Sequence, residues 1–158
     1  MNTNRARNLV DQMKAVVVMN RLRPISATAF ALWFQINMKW NAVKWTNAPI
    51  PISLAHIAQD ISTSRQNAYK AAQSLIDKGY IAIRKGRNAK TLPQVYICYL
   101  PQYIDKIALG HQSAFDRLQD LINQGESDST IAENLSTDAD AKASIDEIKK
   151  RLSNNFFS

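Results

Sequence analysis

The sequence predicts an α+β fold that is mainly α, and three observations predict it. Apolar residues recur at helical spacing over most of the first eighty positions. Gly79-Tyr80-Ile81 then ends that pattern, and two runs, Ile81 to Ile83 and Val95 to Tyr99, alternate or run apolar as strands do. Between them lies Arg84-Lys85-Gly86-Arg87-Asn88-Ala89-Lys90, a basic loop of hairpin length with Gly86 and Asn88 available for positive φ.

Residues 1–23 form the first segment. Leu9, Val10, Met13, Val16 and Val17 make one apolar stripe, with Arg5, Arg7, Lys14 and Arg21 off it. The stripe fits a core helix or a dimerisation arm. Pro24 breaks the chain. Ser26 or Thr28 caps the next helix, which runs to about Trp40 and carries Phe30, Trp33, Phe34, Ile36 and Trp40. A helix this aromatic belongs at the centre of a small domain. Asn41 to Pro51 reads as a loop held extended by Pro49 and Pro51, with Trp45 packed beneath the domain.

The stretch from Ser53 to Tyr99 carries the chemistry. Ser53 caps a short helix containing Leu54, Ile57 and Ala58, and Asp60 to Thr63 makes a turn. Ser64 caps a longer helix that ends at Lys78, where Gly79 supplies a left-handed stop. The order helix, turn, capped helix, strand, basic loop, strand is that of a winged helix-turn-helix over residues 24–101. Pro101 closes the unit.

A recognition helix needs an apolar inner side, exposed side chains in its first turns and flanking cations. Ala68, Ala72, Leu75 and Ile76 are spaced to face inward. Arg65, Gln66, Asn67, Tyr69, Lys70 and Gln73 are left outside. Arg pairs two acceptors on guanine, and Asn or Gln pairs the donor and acceptor of adenine. The N–H groups freed at the Ser64 cap suit a phosphate. No acidic residue occurs from Ile61 to Ile76. In a winged geometry Arg84, Lys85, Arg87 and Lys90 neutralise phosphate beside the helix.

Charge distribution agrees. Residues 1–100 hold 14 Lys/Arg against 3 Asp/Glu, and residues 101–158 hold 6 against 10. So basic a stretch attracts polyanions, of which nucleic acid is the usual one.

The pattern Ser64-Arg65-Gln66-Asn67-Ala68-Tyr69-Lys70, followed by Leu75-Ile76-Asp77-Lys78-Gly79-Tyr80-Ile81, resembles the recognition helix and exit of bacterial winged-helix proteins. The stretch from Ala29-Phe30-Ala31-Leu32-Trp33 through Asn37 and Trp40 to Gln94-Val95-Tyr96-Ile97 is similar to the N-terminal domain of replication initiators and replisome organisers of phages of Gram-positive bacteria, the DnaD-like group included. That resemblance covers roughly residues 25–100. It implies binding of double-stranded origin DNA, self-association, and a tail that engages a helicase loader or another replisome protein. The sequence departs from the pattern at Ser62 and Thr63, where a glycine and an apolar residue usually precede the cap, and it lacks the group's longer C-terminal domain.

The rest of the chain is plainer. Residues 102–124 read as a helical extension, with Phe115, Leu118, Leu121 and Ile122 on one side of a helix from His111 to Asn123. Residues 125–158 read as a flexible acidic linker, a short helix from Ile145 to Leu152, and a terminal Phe156-Phe157 pair. That pair fits a frayed end or a docking peptide.

Catalysis finds little support. His56 and His111 are the only histidines, and Cys98 is the only cysteine, set in an apolar run. There is no phosphate-binding glycine loop and no nucleophile elbow. The expectation is therefore a DNA-binding protein rather than an enzyme, without cofactor or metal, cytoplasmic and not in a membrane. A transcriptional repressor with the same grip is one alternative, and a protein-binding module that blocks a host enzyme is another.

Overall fold

The computed structural model describes residues 6–138 of the chain. It is mainly helical, with one small antiparallel sheet. Helix α1 spans Leu9–Leu22, α2 Ala27–Ala42, α3 Leu54–Asp60 and α4 Arg65–Asp77. Strands β1 (Ile50–Pro51), β2 (Ile81–Arg84) and β3 (Gln94–Ile97) form the sheet. Helices α5 (Leu100–Ala108), α6 (Leu118–Asn123) and α7 (Asp128–Asp138) complete the fold.

Five helix starts are fixed by side-chain caps. Asn8, Ser26, Ser53, Ser64 and Ser127 each accept a hydrogen bond from the backbone N–H three residues on, at 2.8, 3.1, 3.3, 3.0 and 3.2 Å. Each satisfies one donor that the first turn leaves without an intrahelical partner. At the far end of α4, Gly79 has φ +78, and a Cβ there would stand 2.7 Å from Arg23 Nη1, so both conformation and space favour glycine. The preceding turn also needs a left-handed residue, and Ser62 takes that conformation at φ +57. The missing glycine of the turn is thus replaced in conformation, at a steric cost that Ser accepts.

The apolar stripe expected on α1 is corrected. Val10 and Val17 are 62% and 59% exposed, while Gln12, Ala15, Val16 and Met19 are buried. The inward side includes a polar residue because Gln12 finds three partners. Its amide N–H groups donate to Asn37 Oδ1 at 3.0 Å and to the Cys98 carbonyl at 2.9 Å, and its carbonyl accepts from Leu100 N–H at 2.9 Å. Fully satisfied, a buried amide can join α1 to α2 and to the β3–α5 junction.

Helix α2 packs against α3 and α4, and α1 against α5. Leu32, Trp33, Ile36 and Trp40 are buried on α2, with Trp33 edge-on to Tyr80. Phe30 and Phe34, expected inside, are partly exposed. Trp45 packs against Trp40 and Tyr99, with ring centroids 4.7 and 6.1 Å away.

The sheet has strand order β1-β3-β2, with Ile50 opposite Val95, Ile81 opposite Ile97 and Ile83 opposite Val95. The expected loop before Pro51 therefore contributes an edge strand, where a proline is tolerated. The other edge, β2, is closed by a side chain. Gln119 accepts from Ile83 N–H at 2.8 Å and donates to the Ile83 carbonyl at 2.9 Å, standing in for a fourth strand.

Three further expectations are corrected. Pro101 does not close the unit but sits in the first turn of α5, where its missing N–H costs nothing. The helix expected from His111 begins at Leu118, although Phe115, Leu118 and Ile122 are buried as foreseen. Residues 128–138, expected in a flexible linker, form α7, with Ile131 and Leu135 buried one turn apart. Two well-placed apolar residues suffice because both ends of α7 are also tied. Asp128 meets Arg84 and Tyr96, and Asp138 meets Lys106 and the Ala114 N–H. The expected helix from Ile145 and the Phe156-Phe157 pair lie outside the described residues.

Candidate nucleic-acid interface

Helix α4 is held by one side and open on the other. Ala68, Ala71, Ala72 and Leu75 are buried against α2 and α3, and the small alanines allow close approach. Ser64, Arg65, Gln66, Asn67, Tyr69, Lys70 and Gln73 are all exposed. Tyr69 is 51% exposed, which is high for a tyrosine flanked by an apolar surface. Gln73 donates to Asp77 Oδ1 at 2.9 Å, one turn along.

The loop from Lys85 to Pro93 is shaped by two residues, though not through positive φ as expected. Neither Gly86 nor Asn88 is left-handed. At Gly86 a Cβ would stand 2.1 Å from the Thr91 carbonyl oxygen, so the two arms of the loop approach too closely for any side chain. The Asn88 Oδ1 accepts from Lys90 N–H at 2.9 Å and from the Thr91 hydroxyl at 3.1 Å, making the tip turn. Lys85, Arg87 and Lys90 are exposed on this loop.

Helix and loop share one groove of about 570 Å³. Tyr69, Gln73 and Ile76 line it from α4, and Lys85, Gly86 and Pro93 line it from the loop. Leu54, Ala72 and Ile83 also line it, and Gln119 and Asn123 reach it from α6. The last two residues were missed at the level of sequence, since nothing local marks a residue that arrives from thirty positions downstream.

Of the residues expected at the interface, Tyr69, Gln73 and Lys85 line this groove; Ser64, Arg65, Gln66, Asn67, Lys70, Arg87 and Lys90 are exposed but do not line it, and Arg84 is turned away from it. Along a strand successive side chains point to opposite sides, so Arg84 shares a side with Tyr96 while Ile83 and Lys85 turn to the groove. Its Nη2 donates to the Glu126 carbonyl at 2.8 Å and pairs with Asp128 Oδ1 at 3.2 Å. Its Nε is buried with no partner among the described residues. Tyr96 donates its hydroxyl to the same Asp128, and burial with that bond pushes the phenol up to about 12.

Other potential chemistry is enclosed. Cys98 is a free, buried thiol, and burial raises it well above its ordinary value. Among the described residues no three His, Cys, Asp or Glu gather as a metal site, and no helix is long and apolar enough to cross a membrane. No protein-family model, no curated protein and no solved structure matches this chain.

Proposed function

We propose that the chain is a winged helix-turn-helix protein that binds double-stranded DNA. In this reading α4 enters the major groove and the loop from Lys85 to Pro93 lies along the backbone. Arg65, Gln66, Asn67 and Lys70 read or approach bases from the first turns of α4. Lys85, Arg87 and Lys90 hold phosphate. The observation that carries the reading is the shared groove, which sets the outer side of α4 and the base of the cationic loop next to each other.

The biological setting we propose is initiation of phage or plasmid replication. It rests on the resemblance of residues 25–100 to phage initiators. Self-association has Val10 and Val17 on α1 to draw on, since both are exposed. A replisome partner for the tail is proposed on the same resemblance alone.

The test is binding of random and genomic duplex fragments across a salt series. Five exposed cations predict a slope of log K against log salt of about −4 to −5. Enriched fragments that cluster as repeats at an origin support initiation. Absence of any duplex binding in low salt ends the reading.

A further inference from the structure

The groove between α4 and the loop has a chemistry that phosphate does not explain. Leu54, Ala72, Ile76, Ile83 and Pro93 give it an apolar lining, and none of its lining residues is a carboxylate. A phosphodiester gains nothing from such a surface, because its oxygens need donors. A flat heteroaromatic ring does gain. Tyr69, half exposed at the wall, offers a π-face on which a base of any sequence stacks.

The amides complete the match. Gln73 uses its N–H on Asp77, which leaves its carbonyl oxygen as an acceptor. Asn123 accepts from Gln119 at 3.2 Å through Oδ1, which leaves its NH2 as a donor. One acceptor and one donor are what a base edge pairs with. Lys85, which lines the groove from the loop, supplies a cation for the attached phosphate. The volume falls within the roughly 300–1,000 Å³ of small-ligand sites.

We infer that this groove is a pocket for one unpaired nucleobase. The inference rests on the DNA-binding reading and deepens it. The protein holds a strand that has left the duplex, with the base under Tyr69 and its phosphate at Lys85.

The test compares a matched duplex with the same duplex carrying a three-base unpaired bubble, both titrated by anisotropy at one salt concentration. The wild-type chain prefers the bubble by roughly tenfold, the lower range of what one base–aromatic stack contributes. Tyr69→Ala brings the ratio of the two affinities to within about twofold of one, Tyr69→Phe keeps it near the wild-type value, and Asn123→Ala lowers it to a value between the two. Both positions are exposed, so the variants fold, and thermal melting verifies that they do. A fluorescent 2-aminopurine in the bubble becomes shielded from acrylamide only with the wild-type and Tyr69→Phe chains. A ratio near one for the wild type, or a preference that survives Tyr69→Ala, overturns the pocket while leaving duplex binding intact. Failure to bind either DNA overturns the DNA reading itself, and the pocket with it.

Discussion

Two groups of cations in this chain have opposite fates. On one side, Arg7, Arg23, Arg84 and Lys106 are turned onto the protein. Arg7 lies over Trp40 and Tyr99, 5.8 and 5.5 Å from the ring centroids, and donates to the Trp45 carbonyl and to Gln102. Arg23 pairs with Asp116 at 2.7 Å and donates to the Lys78 carbonyl. Lys106 pairs with Asp138 at 3.1 Å, and Arg84 with Asp128. On the other side, Arg65, Lys70, Lys85, Arg87 and Lys90 are exposed, and no ion pair engages them among the described residues. The difference teaches that the excess of positive charge over residues 1–100 is not all working charge. Of the three engaged cations from residues 1–100, Arg23 and Arg84 are matched to Asp116 and Asp128 of the acidic final third, while Lys106 pairs with Asp138 inside that third, so the final third serves as internal counter-charge.

The packed side is where substitutions should cost most. Gln12→Leu removes a side chain that satisfies Asn37, the Cys98 carbonyl and the Leu100 N–H at once. Stranding these buried groups costs on the order of 3–5 kcal/mol, since each loses its desolvation compensation. Urea unfolding should report that loss, with the DNA salt slope unchanged for the molecules that remain folded. An altered slope would show that the two sides are not separate.

The mirror experiment is on the open side. Replacing Lys85, Arg87 and Lys90 together by Ala should weaken duplex binding on the order of a hundredfold at 0.1 M salt and reduce the salt slope by about 2.7. Surface charges without partners contribute little to folding, so the unfolding midpoint should hold. Arg84→Met, at the last residue of β2 next to the loop from Lys85 to Pro93, supplies the contrast. It should cost about 1 kcal/mol of stability through the lost contacts to Asp128 and Glu126, and leave the salt slope where it was. If Arg84→Met instead lowers the slope by about one, Arg84 leaves α7 to meet DNA, and the division of cations drawn above fails.

How much of this was legible in the sequence follows from how local each signal is. Caps and turns need only a few neighbours, so Ser26, Ser53, Ser64 and Gly79 were readable. So was the outer side of α4, because small alanines and polar residues separate cleanly at helical spacing. Arg84 was misread because a run of basic residues hides the alternation of the strand it begins on. Its real partner, Asp128, lies more than forty positions away. The inward turn of α1 at Gln12 left no local signal for a similar reason: a polar side chain faces inward only when distant groups satisfy it, and Asn37, Cys98 and Leu100 are distant. Helix α7 was missed because its two apolar anchors are few and its ends are secured by long-range pairs. The groove required helix, loop and α6 to meet in space, which no local pattern encodes.

The smallest effect expected concerns Tyr96, and it probes how firmly α7 is tied to the sheet. Burial first, and then the hydroxyl's bond to Asp128, raises this phenol from its ordinary value near 10 to about 12. A raised folded value means that the native state keeps the proton where the unfolded chain releases it. The stabilisation is therefore fully present below about pH 10 and is lost as pH rises toward 12. Burial also raises Tyr80 and Tyr103, so the wild-type chain should destabilise steeply in that window. Tyr96→Phe removes one titrating group and should make the decline between pH 10 and 12 shallower, while Tyr80 and Tyr103 keep the rest. The measurement is the urea midpoint at half-unit pH steps, with ultraviolet absorbance following tyrosinate formation. An unchanged slope in Tyr96→Phe would mean that the phenol ionises freely in the folded protein, and hence that the Asp128 end of α7 opens from the sheet without global unfolding.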